Sequence, residues 1–143
     1  MRAHLLLGFA ILVIPGCTSS AGFAPVSGKV TLNGDPLAHA TVSFIPVGKP
    51  GSIEAGEGST GKTNEQGQFK LTSSTGKWGA LIGKHRVSIS ALDQKVGEHD
   101  TRPPRGGWPK ADKVPIRYNS KSALTFDVPP GGTDKADFEL TSP

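Results

Sequence analysis

The sequence has one cysteine, one methionine, one tyrosine and few aromatic residues of any kind. A single cysteine, Cys17, forms no internal disulfide, and no further thiolates are present to build a zinc-finger or iron–sulfur site. Beyond the first sixteen residues there is no long apolar run, and no stretch shows helical periodicity. Charge of one sign is not concentrated either. Lys29, Lys49, Lys62, Lys70, Lys77, Lys84 and Arg86 are scattered, so the formal net charge of +4 is not a nucleic-acid footprint, and no nucleic-acid partner is expected. What is plentiful is turn-forming chain: 19 Gly and 12 Pro, clustered between short runs rich in Val, Ile, Phe, Thr and Leu.

The first residues explain the cysteine. Arg2 is followed by an apolar stretch from Leu5 to Val13, then Ile14, Pro15, Gly16 and Cys17. A charged start, a short apolar stretch and a small-residue end describe a secretory signal too short to span a bilayer comfortably. The last four residues resemble the bacterial lipobox: Ile14 stands three positions before Cys17, and Gly16 immediately before it. The resemblance implies cleavage between Gly16 and Cys17, lipidation of the Cys17 sulfur and anchoring to a membrane by more than one acyl chain, which a single chain would hold only marginally. Cleavage removes Arg2 and takes the formal charge from +4 to +3. Thr18, in place of an aspartate after the cysteine, favours the outer membrane. The expected organisation is a signal peptide over 1–16, a lipidated tether over 17–25 and one domain over 26–143.

In that domain the apolar residues alternate. Val26, Gly28, Val30 and Leu32 share one face of a first strand, and Asn33-Gly34 suits a hairpin to a second strand from about His39 to Val47. A second hairpin is expected between Gly61 and Ser73, turning at Glu65-Gln66-Gly67, with Phe69 and Leu71 inward. His85, Val87, Ile89 and Ala91 alternate in a further strand, and two more run from Ser122 to Val128 and from Ala136 to Leu140. Residues 93–116 carry no period, and a loop of that length is functional or mobile. The expected fold class is all-β: a single antiparallel Greek-key β-sandwich of about seven strands.

Three stretches carry a family resemblance. The run from Val26 to Leu37 with Ala40-Thr41-Val42-Ser43-Phe44, the turn Thr63-Asn64-Glu65-Gln66-Gly67-Gln68-Phe69, and Gly83-Lys84-His85-Arg86-Val87-Ser88-Ile89 resemble carboxypeptidase regulatory-like, transthyretin-like domains. Pro115, Tyr118, Ser122 and Leu124 match a "P-x-x-Y-x-x-x-S-x-L" stretch of small secreted bacterial lipoproteins with this pattern. These are turn and core signatures, so the resemblance implies a scaffold and not an activity. His85 stands where the family usually has an aromatic, which makes it a packing residue.

Gly56-Glu57-Gly58-Ser59-Thr60-Gly61-Lys62-Thr63 satisfies the phosphate-loop pattern to the letter. A phosphate loop needs a buried strand before it and a helix after it, and here a hairpin follows, so a flexible Gly/Ser loop is expected instead. Hydroxyisourate hydrolases share the transthyretin-like scaffold, but their C-terminal Tyr-Arg-Gly-Ser is replaced by Glu139-Leu140-Thr141-Ser142-Pro143. His39, His85 and His99, with Glu98 and Asp100, lack metal-ligand spacing, so no catalytic residue, metal or cofactor is expected. Trp78, Arg102, Arg105 and Trp108 are the candidate contact residues, since exposed Trp and Arg dominate binding hot spots. The leading expectation is a non-enzymatic membrane-anchored envelope lipoprotein that binds a protein or glycan or serves a structural role. The alternative is a hydrolase or nucleotide-binding protein using residues 56–63 or the histidines.

Overall fold

The computed structural model describes residues 22–48, 56–92 and 112–143. These residues are all-β, with several sheets and no α-helix among them. The strands are β1 (Phe23–Ala24), β2 (Ser27–Leu32), β3 (Asp35–Pro36), β4 (Thr41–Pro46), β5 (Ser59–Lys62), β6 (Gln68–Lys70), β7 (Thr72–Ser73), β8 (Ala80–Leu81), β9 (Gly83–Ser90), β10 (Thr125–Val128) and β11 (Phe138–Leu140). Four of these are two-residue strands, which is why alternation alone resolves fewer.

The larger sheet has the order β10-β9-β4-β5-β7. The second centres on β2, which pairs with β11, β3 and β6. β1 and β8 make a small separate ladder. The long strands alternate as period two demands: His85, Val87 and Ile89 of β9 are buried while Lys84 and Arg86 are exposed. Val42 and Phe44 of β4 are buried in the same way. The two larger sheets share one core. Phe44 of the first sheet and Phe138 of the second lie 6.1 Å apart between ring centroids, and Phe69 stacks on Phe138 at 6.3 Å. Phe126 touches both Phe44 and Phe138. Burying one such side chain contributes about 1.5–3 kcal/mol.

Three pairings differ from the sequence expectation. Asn33 (φ 53°) and Gly34 (φ 90°) do form the hairpin turn, but the returning strand is the two-residue β3, and β4 belongs to the other sheet. One further bond, from the Leu37 N–H to the Val30 carbonyl at 3.0 Å, follows Pro36 before the chain leaves and crosses over. The crossing is fastened by Thr63, whose hydroxyl donates to the Leu37 carbonyl at 2.6 Å and accepts the Ala40 N–H at 2.8 Å, all buried. Next, the turn around Gly67 forms, but its arms separate. β5 pairs with β4 and β7, while β6 pairs with β2. Asn64 Oδ1 closes that turn by accepting the Gln66 and Gln68 N–H groups. Finally, the fold is not wholly antiparallel: β11 runs parallel to β2, with Phe138 opposite Val30. Side-chain alternation is the same in both orientations, so the pattern carries no directional information.

The expected tether overlaps the fold, since Ala24 in β1 is buried and Thr133 N–H donates to the Pro25 carbonyl. The signal peptide, Gly16 and Cys17 lie outside the described residues. So does the stretch 93–111 of the expected long loop, but its C-terminal flank is tightly held. Asp112 Oδ1 accepts the Ala91 N–H at 2.8 Å and the Val114 N–H at 2.9 Å, and its Oδ2 accepts Asn119 Nδ2 at 3.1 Å. Val114 is buried beside this clasp.

Candidate functional site

Of the four candidate contact residues, only Trp78 falls within the described part of the chain; Arg102, Arg105 and Trp108 lie outside it. Trp78 is 71% exposed, the largest value among the exposed large hydrophobic residues. Its position is set from the backbone outward. β7 leads into a turn in which Gly76 N–H donates to the Ser73 carbonyl and Ser73 N–H to the Lys77 carbonyl, at 2.9 and 2.8 Å. Lys77 N–H also donates to Ser73 Oγ at 3.0 Å. Trp78 bridges Thr72, and Gly79 N–H then donates to the Leu71 carbonyl at 2.8 Å. Gly79 is required there. Its φ is +93°, and a Cβ would stand 1.9 Å from the Ala24 carbonyl oxygen.

A carboxylate braces the same turn from outside. Glu57 Oε1 accepts the Thr75 N–H at 2.6 Å and the Ser74 hydroxyl at 3.0 Å. Hydrogen bonds from Thr75 foremost, then Ser73 and Ser74, lower its pKa to about 2, so it stays ionised. Lys77 places its ammonium over the Phe23 ring, 4.8 Å from the centroid. The indole is thus displayed from a chain segment fixed on both sides.

Two adjoining open grooves meet at this tryptophan. The larger, about 620 Å³, is lined by Ser27, Gly28 and Lys29 of β2, Lys62 of β5, Gln68, Phe69 and Lys70 of β6, and Asn64, Trp78, Asp134 and Asp137. The smaller, about 380 Å³, shares Ser27, Lys70 and Trp78 with it and adds Pro25, Val26, Leu71 and Gly79. The β2–β6 register sets Ser27 opposite Lys70 and Lys29 opposite Gln68, which assembles the polar wall from two distant segments. Asp137 is engaged: its Oδ1 accepts the Lys29 N–H at 2.8 Å. Among the described residues the one ion pair is His39 with Glu65, so none of the groove lysines is charge-paired there.

The phosphate-loop pattern occupies a different kind of structure from the flexible loop expected of it. Ser59–Lys62 is the strand β5, between β4 and β7, and a tight turn rather than a helix follows Thr63. The Thr63 hydroxyl is committed to Leu37 and Ala40, and Gly61 is needed for packing because a Cβ would lie 2.4 Å from the Lys70 carbonyl oxygen. Lys62 alone of the pattern reaches the groove.

The histidines do not converge. His39 is exposed and reaches Glu65 at 2.9 Å, His85 is buried, and His99 with Glu98 and Asp100 lies outside the described residues. Among the described residues no three His, Cys, Asp or Glu side chains cluster as metal ligands. His85 packs on Phe44 with centroids 5.6 Å apart, its Nδ1 meets the Gly83 carbonyl at 2.9 Å, and its Nε2 has no partner among the described residues. Burial lowers its pKa, against the opposing pull of the Gly83 carbonyl and Asp127.

The Pro115, Tyr118, Ser122 and Leu124 series is a fastening. Pro115 caps the short 3-10 turn Ile116–Tyr118, Tyr118 and Arg117 grip Thr141, and the Ser122 hydroxyl donates to the Val87 carbonyl. What sequence reasoning missed is the polar company of Trp78. Lys29 and Gln68 fall on the outward half of their alternations, but nothing in a linear pattern says that those halves adjoin. Among the described residues no helix is long and apolar enough to cross a membrane. No protein-family model, curated protein or solved structure matches the chain.

Proposed function

We propose that the chain is an exported lipoprotein, held to an envelope membrane through acylated Cys17, whose domain is a non-catalytic binding module. Its scaffold is read as a transthyretin-like sandwich of the carboxypeptidase regulatory type, on the resemblance of its turns and alternating strands. The observation that carries the binding role is Trp78, largely exposed on a braced turn between two grooves. A solvent-exposed indole on a rigid mount binds without the entropic penalty of ordering a loop. The anchor rests on Arg2, the apolar stretch before Ile14, and Gly16-Cys17. Together they describe a module that works within reach of a membrane surface and contacts an envelope component there.

Intact mass of the full chain, extracted from membranes of an expressing bacterium, tests the anchor. The mature species is expected to start at Cys17 and carry acyl chains, and Cys17→Ala is expected to abolish both the lipid mass and membrane retention. An unlipidated parent chain overturns the anchor. A photo-crosslinking side chain at position 78 tests the module: a defined adduct in intact cells is expected, and its absence counts against a contact at this face.

A further inference from the structure

We propose that the Trp78 groove is a subsite for an acidic glycan, a polysaccharide strand bearing carboxylates, with one sugar ring stacked on the indole. This rests on the binding-module reading above and assigns its ligand class. The groove's volume of about 620 Å³ falls in the usual range for ligand sites, about 300–1,000 Å³.

Trp78 is the exposed aromatic of the two grooves, whereas Phe69, Val26 and Leu71, which also line them, are themselves buried. The other exposed large apolar residues, Ile45, Val47, Ile82, Leu92 and Ile116, line neither groove. A protein-docking site gathers exposed apolar residues into a centre ringed by polar ones, and among the described lining residues Trp78 has only Pro25 as an exposed apolar companion. A sugar asks for the opposite. One face of the pyranose carries C–H groups with partial positive charge, which match the electron-rich face of an indole, and its hydroxyls need hydrogen-bonding partners around the rim. Gln68, Ser27 and the lysines supply those partners on the groove wall.

Charge selects among sugars. Three lysines, Lys29, Lys62 and Lys70, face this groove against two aspartates, and Asp137 already accepts the Lys29 N–H. None of the three is ion-paired among the described residues, and the chain cleaved before Cys17 carries +3. Three ammonium groups against two carboxylates, with no ion pair between them among the described residues, leave an open groove that attracts an anion, and a carboxylate beside a stacked ring satisfies both halves of the site.

The test uses the full lipoprotein in detergent micelles and titration calorimetry with an oligogalacturonate hexamer, beside its carboxyl-reduced neutral counterpart. The acidic hexamer is expected to bind and the neutral one to bind more weakly. Trp78→Ala is expected to weaken binding about tenfold or more, with an unchanged thermal midpoint. Lys62→Ala with Lys70→Ala is expected to remove the acidic preference and flatten the salt dependence. Equal binding of both hexamers, or acidic binding indifferent to Trp78→Ala, overturns the proposal. Equally tight binding of a polyglutamate peptide overturns the glycan class. A crosslink from position 78 to an envelope protein, with no hexamer binding, overturns this ligand assignment while leaving the module reading intact. Absence of both overturns both.

Discussion

Aromatic side chains serve two opposed purposes in this molecule. Phe44, Phe69, Phe126 and Phe138 form a contiguous cluster between the sheets, with every ring against another. Trp78, the largest side chain in the described residues, stands almost bare on a turn. The cluster gains its energy from removal from water, whereas the indole retains its capacity to gain that energy by staying in it. The contrast separates what holds the fold together from what the fold presents, and it assigns substitutions in the two regions different observables.

The largest expected effect lies in the cluster. Phe44→Ala removes a fully buried ring that touches His85, Phe126 and Phe138, and is expected to lower unfolding free energy by about 3–5 kcal/mol in urea denaturation. Next comes the crossing between sheets. Thr63→Val keeps the shape but leaves the Leu37 and Ala40 backbone groups without their buried partner, an expected loss of about 1–3 kcal/mol by the same assay.

His85 gives a pH-dependent version of the contrast. Its folded pKa is depressed below the ordinary 6.5, so below that pH the unfolded chain takes up a proton that the folded chain refuses. Stability is therefore expected to fall as pH drops from 7 towards 5. The part of that fall absent in His85→Phe, compared by thermal midpoint across the same range, belongs to this imidazole. A parent and variant with parallel profiles would place the acid sensitivity elsewhere. The smallest expected effect is at the surface: Trp78→Ala is expected to change unfolding free energy by no more than about 0.5 kcal/mol. A larger loss would show that the indole is a lid on the fold and erase the distinction between the regions.

Legibility in the sequence follows the same division. β9 and β4 could be read from alternation because each buries one face over six residues or more, and Asn33-Gly34 could be read from its turn chemistry. Partnership could not be read. That β2 takes β11 in parallel and β6 in antiparallel register depends on contacts distant in sequence, and a period of two is blind to both. Thr63 looked like part of a phosphate loop because a motif specifies residue types, while its role comes from the crossing it fastens. Trp78 was legible in the sequence as a loop aromatic, and the fold leaves it 71% exposed. Its lysine neighbours were not, since Lys29, Lys62 and Lys70 come from three strands that meet only in the folded chain.

The Asp112 clasp has a consequence for how such a domain can vary. By tying Ala91 to Val114 and Asn119, one carboxylate holds the two flanks of residues 93–111 together. Chain-closure entropy grows only logarithmically, so doubling an insertion between fixed ends costs about 0.6 kcal/mol. The clasp acts as a socket: a change of length between its two ends is expected to leave the register of β9 and β10 as it is.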